Sequence, residues 1–501
     1  MTAAVEMILN PQVLGVIALA SMFGLFVGAM PGLSATMATA LLVPITFFMQ
    51  PAPAIGAIVT CTAMAIFAGD IPGALLRIPG TPASAAYADE AYRMTQKGLS
   101  EVALGAGLLF SMLGGLVGVT ILILGAPVLA EFALNFSSFE YFWLALLGLT
   151  CAVFITPQSQ LKGLVALILG LLISCIGIGS TSGYARFTFD NVELTGGVPL
   201  IPALIGMFAL PEVIRYVLSE DRNLRITQNR IGNIFAQQSR MLRLYWRSLI
   251  RGSLLGTTVG AMPGAGADIA AWISYALSRK FSRTPEKFGT GHPEGIVEAS
   301  SSNNAALGGA WIPALVFGIP GDSITAIAIG VMFMKGLTPG PMIFLNDPQM
   351  LYAVFICFVL ANLLLLPFGW VAIKLAGRLL SVPRPILMPL ILLFCIVGAF
   401  ASNNTVFGVT IMLALGMIAY LMEENAFPVA PIILGIVLGP MLEENFINSM
   451  QKTQGDLIGF IGRPIAGTLG VLTILIWLAP ILLPLARKAF PAMAGRSVTG
   501  E

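Results

Sequence analysis

The chain has 501 residues, 57% of them hydrophobic and only 10% charged, with a mean hydropathy of +0.90. Soluble domains carry charge on roughly a quarter of their residues, so this composition excludes a water-soluble globular protein and makes the bilayer the solvent. A net charge of +2 argues for neither nucleic acid nor acidic partners, and only the placement of the charges is informative.

The N-terminus carries Glu6 and no basic residue ahead of the first apolar run, so no cleavable signal is expected and the first helix is kept. That run, Val13 to Ala29, is followed by Pro31-Gly32 and a second run, Ala35 to Met49. Both are short against the roughly 20 residues of a full span. Proline lacks the backbone N–H and glycine leaves helical geometry cheaply, so the pair predicts a helical hairpin with its tip inside the membrane. Longer apolar stretches recur, among them Leu104 to Ile123, Tyr352 to Ile373 and Ala466 to Leu485, giving an all-α, polytopic integral membrane protein. Cys61, Cys151, Cys175, Cys357 and Cys395 lie in apolar segments without paired spacing and read as packing residues. The single histidine, His292, leaves no His-based zinc cluster.

The chain repeats itself. Val27 to Gly32 and Val259 to Gly264 both read VGAMPG; Ile78-Pro79-Gly80 answers Ile319-Pro320-Gly321, and Lys97-Gly98-Leu99 answers Lys335-Gly336-Leu337. Pro199, Pro202, Gly206 and Pro211 recur at the same spacing as Pro428, Pro431, Gly435 and Pro440. Basic residues concentrate in cytoplasmic loops. The joining segment holds Arg222, Arg225, Arg230, Arg240, Arg243, Arg247 and Arg251, which puts it inside. Gly125 to Glu140 has no basic residue, but its counterpart carries Lys374, Arg378 and Arg384; the uncharged turn Gln50 to Pro53 corresponds to Arg279, Lys280, Arg283 and Lys287. Equivalent loops are thus expected on opposite sides. The predicted fold is two inverted-topology repeats, each of about five transmembrane helices plus a hairpin, with one extra C-terminal helix. The boundaries are 1–219 for the first repeat, 220–247 for a cytoplasmic connection, 248–463 for the second repeat and 464–501 for the terminal helix and cytoplasmic tail. The N-terminus is expected outside.

Broken backbone at membrane depth must be buried in protein or line a wet cavity. A helix starting after Pro31-Gly32 or Pro263-Gly264 aims free N–H groups and its positive dipole end at that cavity, which suits a carboxylate. The expected substrate site therefore comprises Pro31, Gly32, Leu33, Ser34, Ala35 and Thr36 on one tip and Pro263, Gly264, Ala265 and Gly266 on the other. Ordinary kinking of membrane helices is the alternative for either copy alone. Ser300-Ser301-Ser302-Asn303-Asn304 opens an apolar helix; Ser302, Asn303 and Asn304 can bind carboxylate or sodium, or cap that helix. Ser402-Asn403-Asn404 is read as a helix-end loop. Asp70, Asp268 and Asp322 each stand beside a Gly or Pro break and, with Asn303, are the expected coupling-ion residues. Arg77 is read as snorkelling to the cytoplasm.

These motifs resemble the large, TctA-type membrane subunit of the tripartite tricarboxylate transporters. The resemblance is carried by Gly24-x-x-x-Gly28-x-x-Pro31-Gly32, by Gly256-x-x-x-Gly260-x-x-Pro263-Gly264, and by Asn303-Asn304-Ala305 leading through Gly308-Gly309 to Gly318-Ile319-Pro320-Gly321. It implies a bacterial inner-membrane permease. Its partners would be a small four-helix membrane subunit (TctB-type) and a periplasmic solute-binding protein (TctC-type). It would import di- or tricarboxylates, citrate-like, with sodium or protons as coupling ion, and no cofactor. Here Glu298-Ala299-Ser300-Ser301-Ser302 precedes Asn303, where the family more often has a Pro-Glu-Ala-Ala-like run. A stand-alone carrier or channel is the nearest alternative. An enzyme is not expected: the loose G-x-x-G-D at Gly318 to Asp322 has no convincing partner aspartate motif, and no nucleotide-binding loop is present.

Overall fold

The computed structural model describes residues 2–31, 33–154, 159–179, 183–218, 233–235, 237–264, 266–380 and 384–489. Gly32, Ala265, Arg222, Arg225 and Arg230 lie outside them. In chain order come α1 (Thr2–Leu9), α2 (Pro11–Gly28), α3 (Ala35–Thr46), α4 (Pro51–Ala68), α5 (Asp70–Leu76), α6 (Ala88–Gln96), α7 (Ser100–Ala133), α8 (Ser138–Phe154), α9 (Gln160–Ser174) and α10 (Leu200–Leu218). A short antiparallel ribbon, β1 (Gly177–Ile178) with β2 (Ala185–Arg186), stands before α10. The second half holds α11 (Gln238–Gly260), α12 (Gly266–Phe281), α13 (Pro293–Phe317), α14 (Ser323–Met334), α15 (Ile343–Asn346), α16 (Pro348–Lys374), α17 (Ala376–Leu379), α18 (Arg384–Asn403), α19 (Val406–Glu424), α20 (Ala430–Lys452) and α21 (Pro464–Ala489).

Among the described residues, eight helical spans are long and apolar enough to cross a membrane: α2, α4 continued by α5, α7, α10, α16, α18, α19 and α20. An all-helical chain follows from the solvent, because helices satisfy every backbone group within one segment. Two elements depart from the sequence reading. The first hairpin arm is long enough to span by itself: Asn10 accepts from Gln12 N at 2.9 Å and Pro11 takes the first helical position, so α2 starts ahead of the apolar run. The polar run Ser300 to Asn304 does not open a helix. It lies in the middle of α13, whose N-cap is His292, so the capping alternative falls. The boundary drawn at 247 falls inside α11, just past a kink at Tyr245.

The repeated motifs do repeated work. Gly24 and Gly28 press α2 onto the backbone of α4 at Cys61 and Ala65, leaving no room for a Cβ; Gly256 and Gly260 press α11 onto α13 at Ser302 and Ala306 in the same way. Close approach through small residues is the usual source of helix adhesion in lipid. After each hairpin arm the turns match too, with Met30 N donating to Val27 O and Met262 N to Val259 O, both at 3.0 Å. Both Lys-Gly-Leu stretches terminate a helix with glycine in the left-handed region (φ 78° at Gly98, 75° at Gly336) and a bond of 2.9 Å back into the last turn, Leu99 N to Met94 O and Leu337 N to Met332 O. Each lysine then ties to the other half: Lys97 Nζ donates to Thr290 O at 2.6 Å, and Lys335 Nζ to Met49 O at 2.6 Å and Phe47 O at 2.8 Å.

Larger elements cross over reciprocally. α7 packs on α13 while α16 packs on α4; α10 packs on α18 and α19 while α20 packs on α8 and α9. α4 and α13 form the centre of the molecule, with every residue of α13 from Gly295 to Val316 buried. Large apolar side chains such as Leu124, Leu161, Leu393, Val406 and Leu421 remain exposed on the outer helices, as lipid contact requires. All five cysteines are free, and all but Cys175 are buried. Arg77, in the left-handed region (φ 61°), reaches Asp89 at 2.7 Å on an exposed surface.

Candidate functional site

A cavity of about 580 Å³ collects residues from both hairpins and from α13. On the first tip, Ser34 caps α3, its hydroxyl accepting from Met37 N at 3.1 Å; Ala35 and Thr36 follow it into the cavity wall. The first N–H groups of a helix have no acceptor within it, so this terminus presents donors to the cavity. On the second tip, Gly264 (φ 82°) and Gly266 (φ 61°) turn the chain into α12, whose first turn carries Ala267 and Asp268. Only glycine accepts such torsions easily.

Two corners fasten the second tip. Gly264 N donates to Gly321 O at 2.8 Å, joining the Pro263-Gly264 break to the Pro320-Gly321 break. Ala83 N donates to Asp268 Oδ1 at 3.1 Å and Trp272 Nε1 to Pro82 O at 3.2 Å, joining α12 to the corner after Gly80. The two Pro-Gly corners share one construction. Ser84 N donates to Thr81 Oγ1 and Thr81 N to Ser84 Oγ, both at 3.1 Å; Thr325 N donates to Asp322 Oδ1 at 2.7 Å and Asp322 N to Thr325 Oγ1 at 2.9 Å. Thr81, Pro82 and Asp322 all line the cavity.

From α13 only Asn303 reaches the cavity. Its Nδ2 meets Tyr87 Oη at 3.5 Å, Tyr87 donates to Asp70 Oδ1 at 2.6 Å, and among the described residues Asn303 Oδ1 and Asp70 Oδ2 have no hydrogen-bond partner. Asp70 thus stands behind the cavity wall. Ser302 donates to Ala270 O at 3.1 Å and Asn304 to Ser111 O at 3.3 Å, so both serve helix packing. Pro31, Leu33 and Pro263 are not part of the lining; Pro31 and Leu33 are buried and Pro263 packs against Gly148. The expected set therefore gathers Ser34, Ala35, Thr36, Gly264, Gly266, Asn303, Asp268 and Asp322 in one place.

The sequence reading missed the opposite wall. Arg215, near the end of α10, lines the cavity beside Glu423 and the stretch Ala426 to Pro431 that leads into α20. It meets Glu212 at 2.6 Å, Glu423 at 3.0 Å and Glu424 at 3.3 Å, tying α10 to the end of α19. Pro428 and Pro431 are legible as repeats of Pro199 and Pro202, but nothing in the sequence places Arg215 beside them.

Fold and site together define a multi-pass membrane protein with a cavity of mixed polar and apolar lining between helix breaks. The tripartite tricarboxylate transporter TctA family model matches residues 14–434, and the chain belongs to that family, the large permease subunit of a transporter type that works with partner subunits. It is 32% identical over 472 residues, 94% of each chain, to an uncharacterised 52.8 kDa protein of Agrobacterium vitis described by its place 3′ of ttuC′ in the TAR-I region. A second Agrobacterium vitis protein, described by the TAR-II ttuC′ 3′ region, is 33% identical over 228 residues, 45% of this chain and 94% of its own. No solved structure matches.

Proposed function

We propose that the protein imports small di- or tricarboxylates across the bacterial inner membrane by alternating access, driven by a sodium or proton gradient. The observation that carries this reading is the meeting of both hairpin tips in one cavity with Asn303; a helix N-terminus at such a space suits a carboxylate. The substrate-contacting set is Ser34, Ala35, Thr36, Gly264, Gly266 and Asn303, with Asp268, Asp322 and Asp70 on the ion pathway.

The two halves act as inverted repeats over 1–219 and 248–463, joined by a cytoplasmic segment at 220–247, with the N-terminus outside and the tail from 464 returning inside. Matched helix caps, matched glycine contacts and the reciprocal crossing of helices support this arrangement. A periplasmic solute-binding protein delivers substrate and a small four-helix subunit completes the membrane complex, as membership of a tripartite family implies.

The test is uptake by proteoliposomes holding the two membrane subunits, across a panel of di- and tricarboxylates, with and without binding protein and with sodium or pH gradients imposed singly. Uptake that needs the binding protein and one gradient is expected. Equal uptake without it would replace this reading with a stand-alone carrier, and no carboxylate uptake under any gradient would overturn it.

A further inference from the structure

The two tips are alike in construction and unlike in charge. Thr36 and Asp268 stand at the same distance after their Pro-Gly pairs, and Thr81 and Asp322 each follow the glycine of an Ile-Pro-Gly corner and form the same reciprocal bonds with the residue three positions on. Thr62 and Asn303 each follow the residue whose carbonyl receives the first packing glycine, Gly24 or Gly256. At all three positions the first half carries a threonine hydroxyl, and the second half carries a carboxylate or an amide.

Two carboxylates facing the same cavity are a poor neighbourhood for an anion. Asp268 and Asp322 line the same cavity, and among the described residues neither has an ion-pair partner. Among the described residues the one basic residue in the lining, Arg215, is already shared among Glu212, Glu423 and Glu424. Carboxylates that face a cavity inside a membrane bundle pair with a counter-charge or hold a cation. A separate observation points the same way: among the described residues Asn303 Oδ1 has no hydrogen-bond partner, although the residue is only 2% exposed and lines the cavity. An unpaired acceptor calls for a cation or a donor, not for a carboxylate.

We propose that the second tip is a cation site, with Asp268, Asp322 and Asn303 Oδ1 as ligands to a sodium ion, and that the substrate carboxylate is received by the first tip at Ser34 to Thr36. This rests on the reading of the cavity as a carboxylate site and divides that site by charge. All three ligands are hard oxygens, the donor type of an alkali or alkaline-earth ion, with no histidine or thiolate to select a transition metal. A cation that must be released each cycle favours the singly charged ion over a tightly held divalent one. The bound charge offsets the aspartates and lets the anion approach, so cation binding promotes carboxylate binding, and by linkage the reverse.

The test is thermal unfolding of the purified protein titrated with sodium chloride against choline chloride at fixed ionic strength, without carboxylate, then with citrate at saturating sodium. A saturable rise with sodium is expected, since a ligand of the folded state stabilises it. Asp268→Asn, Asp322→Asn and Asn303→Ala should each weaken sodium by about tenfold or more, a factor worth 1.4 kcal/mol. Thr36→Ala and Thr81→Ala should leave the sodium midpoint in place, and Thr36→Ala should weaken citrate. If an Asn variant fails to fold, Asp268→Glu keeps the charge, displaces the carboxylate, and should still weaken sodium.

A flat sodium titration, equal losses from the threonine variants, tighter binding of calcium or magnesium, or a rise that follows pH instead of sodium would each overturn the cation site. Sodium binding that persists while no carboxylate stabilises the protein would strike the carboxylate reading alone. Carboxylate binding indifferent to sodium would strike the cation site alone.

Discussion

The two proline-marked entrances to the helical bundle make an instructive pair. Pro199 and Pro428 occupy matching places in the repeat, each ahead of a long helix, α10 or α20. At Pro428 the surrounding space runs inward to Thr36, Gly264, Asp268 and Asn303. At Pro199 a space of about 560 Å³ is lined instead by Phe47, Gly330, Phe333, Ser402 and Asn403, and none of the hairpin-tip or Asn303 lining is part of it. One sequence plan thus gives a space that takes in the hairpin tips in one half and a space that does not in the other.

The comparison breaks most completely if the hairpin tip beneath the Pro428 space is destroyed. Gly264→Pro removes the N–H given to Gly321 O and forces φ from 82° to the proline range. A cost of at least about 3 kcal/mol corresponds to roughly a hundredfold loss of the competent tip, so uptake should fall to background while the protein still inserts. Normal uptake by this variant would remove the tip from the site.

Next in size is the bracing of the Pro428 entrance. Arg215→Ala frees Glu423 and Glu424, and since these ion pairs are 35–48% exposed on the glutamate side the stability cost should be only about 1 kcal/mol. The transport effect should be larger than the fold effect: α10 and α19 separate more readily, and a thiol at Ala430 reacts faster than in the parent. An unchanged labelling rate would show that Arg215 does not hold that entrance.

Accessibility measures the comparison directly. In a chain with its native cysteines replaced, Ala430→Cys should be modified by a polar maleimide and protected by citrate, whereas Ile201→Cys should show no protection. Protection at both positions would mean that both entrances reach the substrate. The smallest effect belongs to the contact between α3 and α4: Thr62→Val removes the 3.0 Å contact with Thr39 and should cost about 1 kcal/mol, read as a modest fall in the unfolding midpoint with uptake retained.

Which parts were legible in the sequence follows from the same physics. The Pro-Gly breaks announced themselves because proline and glycine alter the backbone whatever surrounds them, so both tips and the Asp322 corner were found without coordinates. The polar run in α13 was misplaced as a helix start because the helix extends upstream from Pro293 and is buried on every side; with no contrast between faces, periodicity could not say that Asn303 reaches the cavity while Ser302 and Asn304 pack against neighbours. Arg215 and the Glu423 to Pro431 wall escaped because they approach the tips only through helices distant in sequence.

The sequence by itself determined that the chain lives in lipid, where its helices break, and that its halves follow one plan, because composition, backbone chemistry and repetition are local properties of the chain. Only the tertiary structure decided which breaks share a cavity, which of three consecutive polar residues enters it, and which of two matching entrances reaches the centre. Those outcomes depend on which helix faces meet at long range, and a uniformly apolar surface carries no record of that choice.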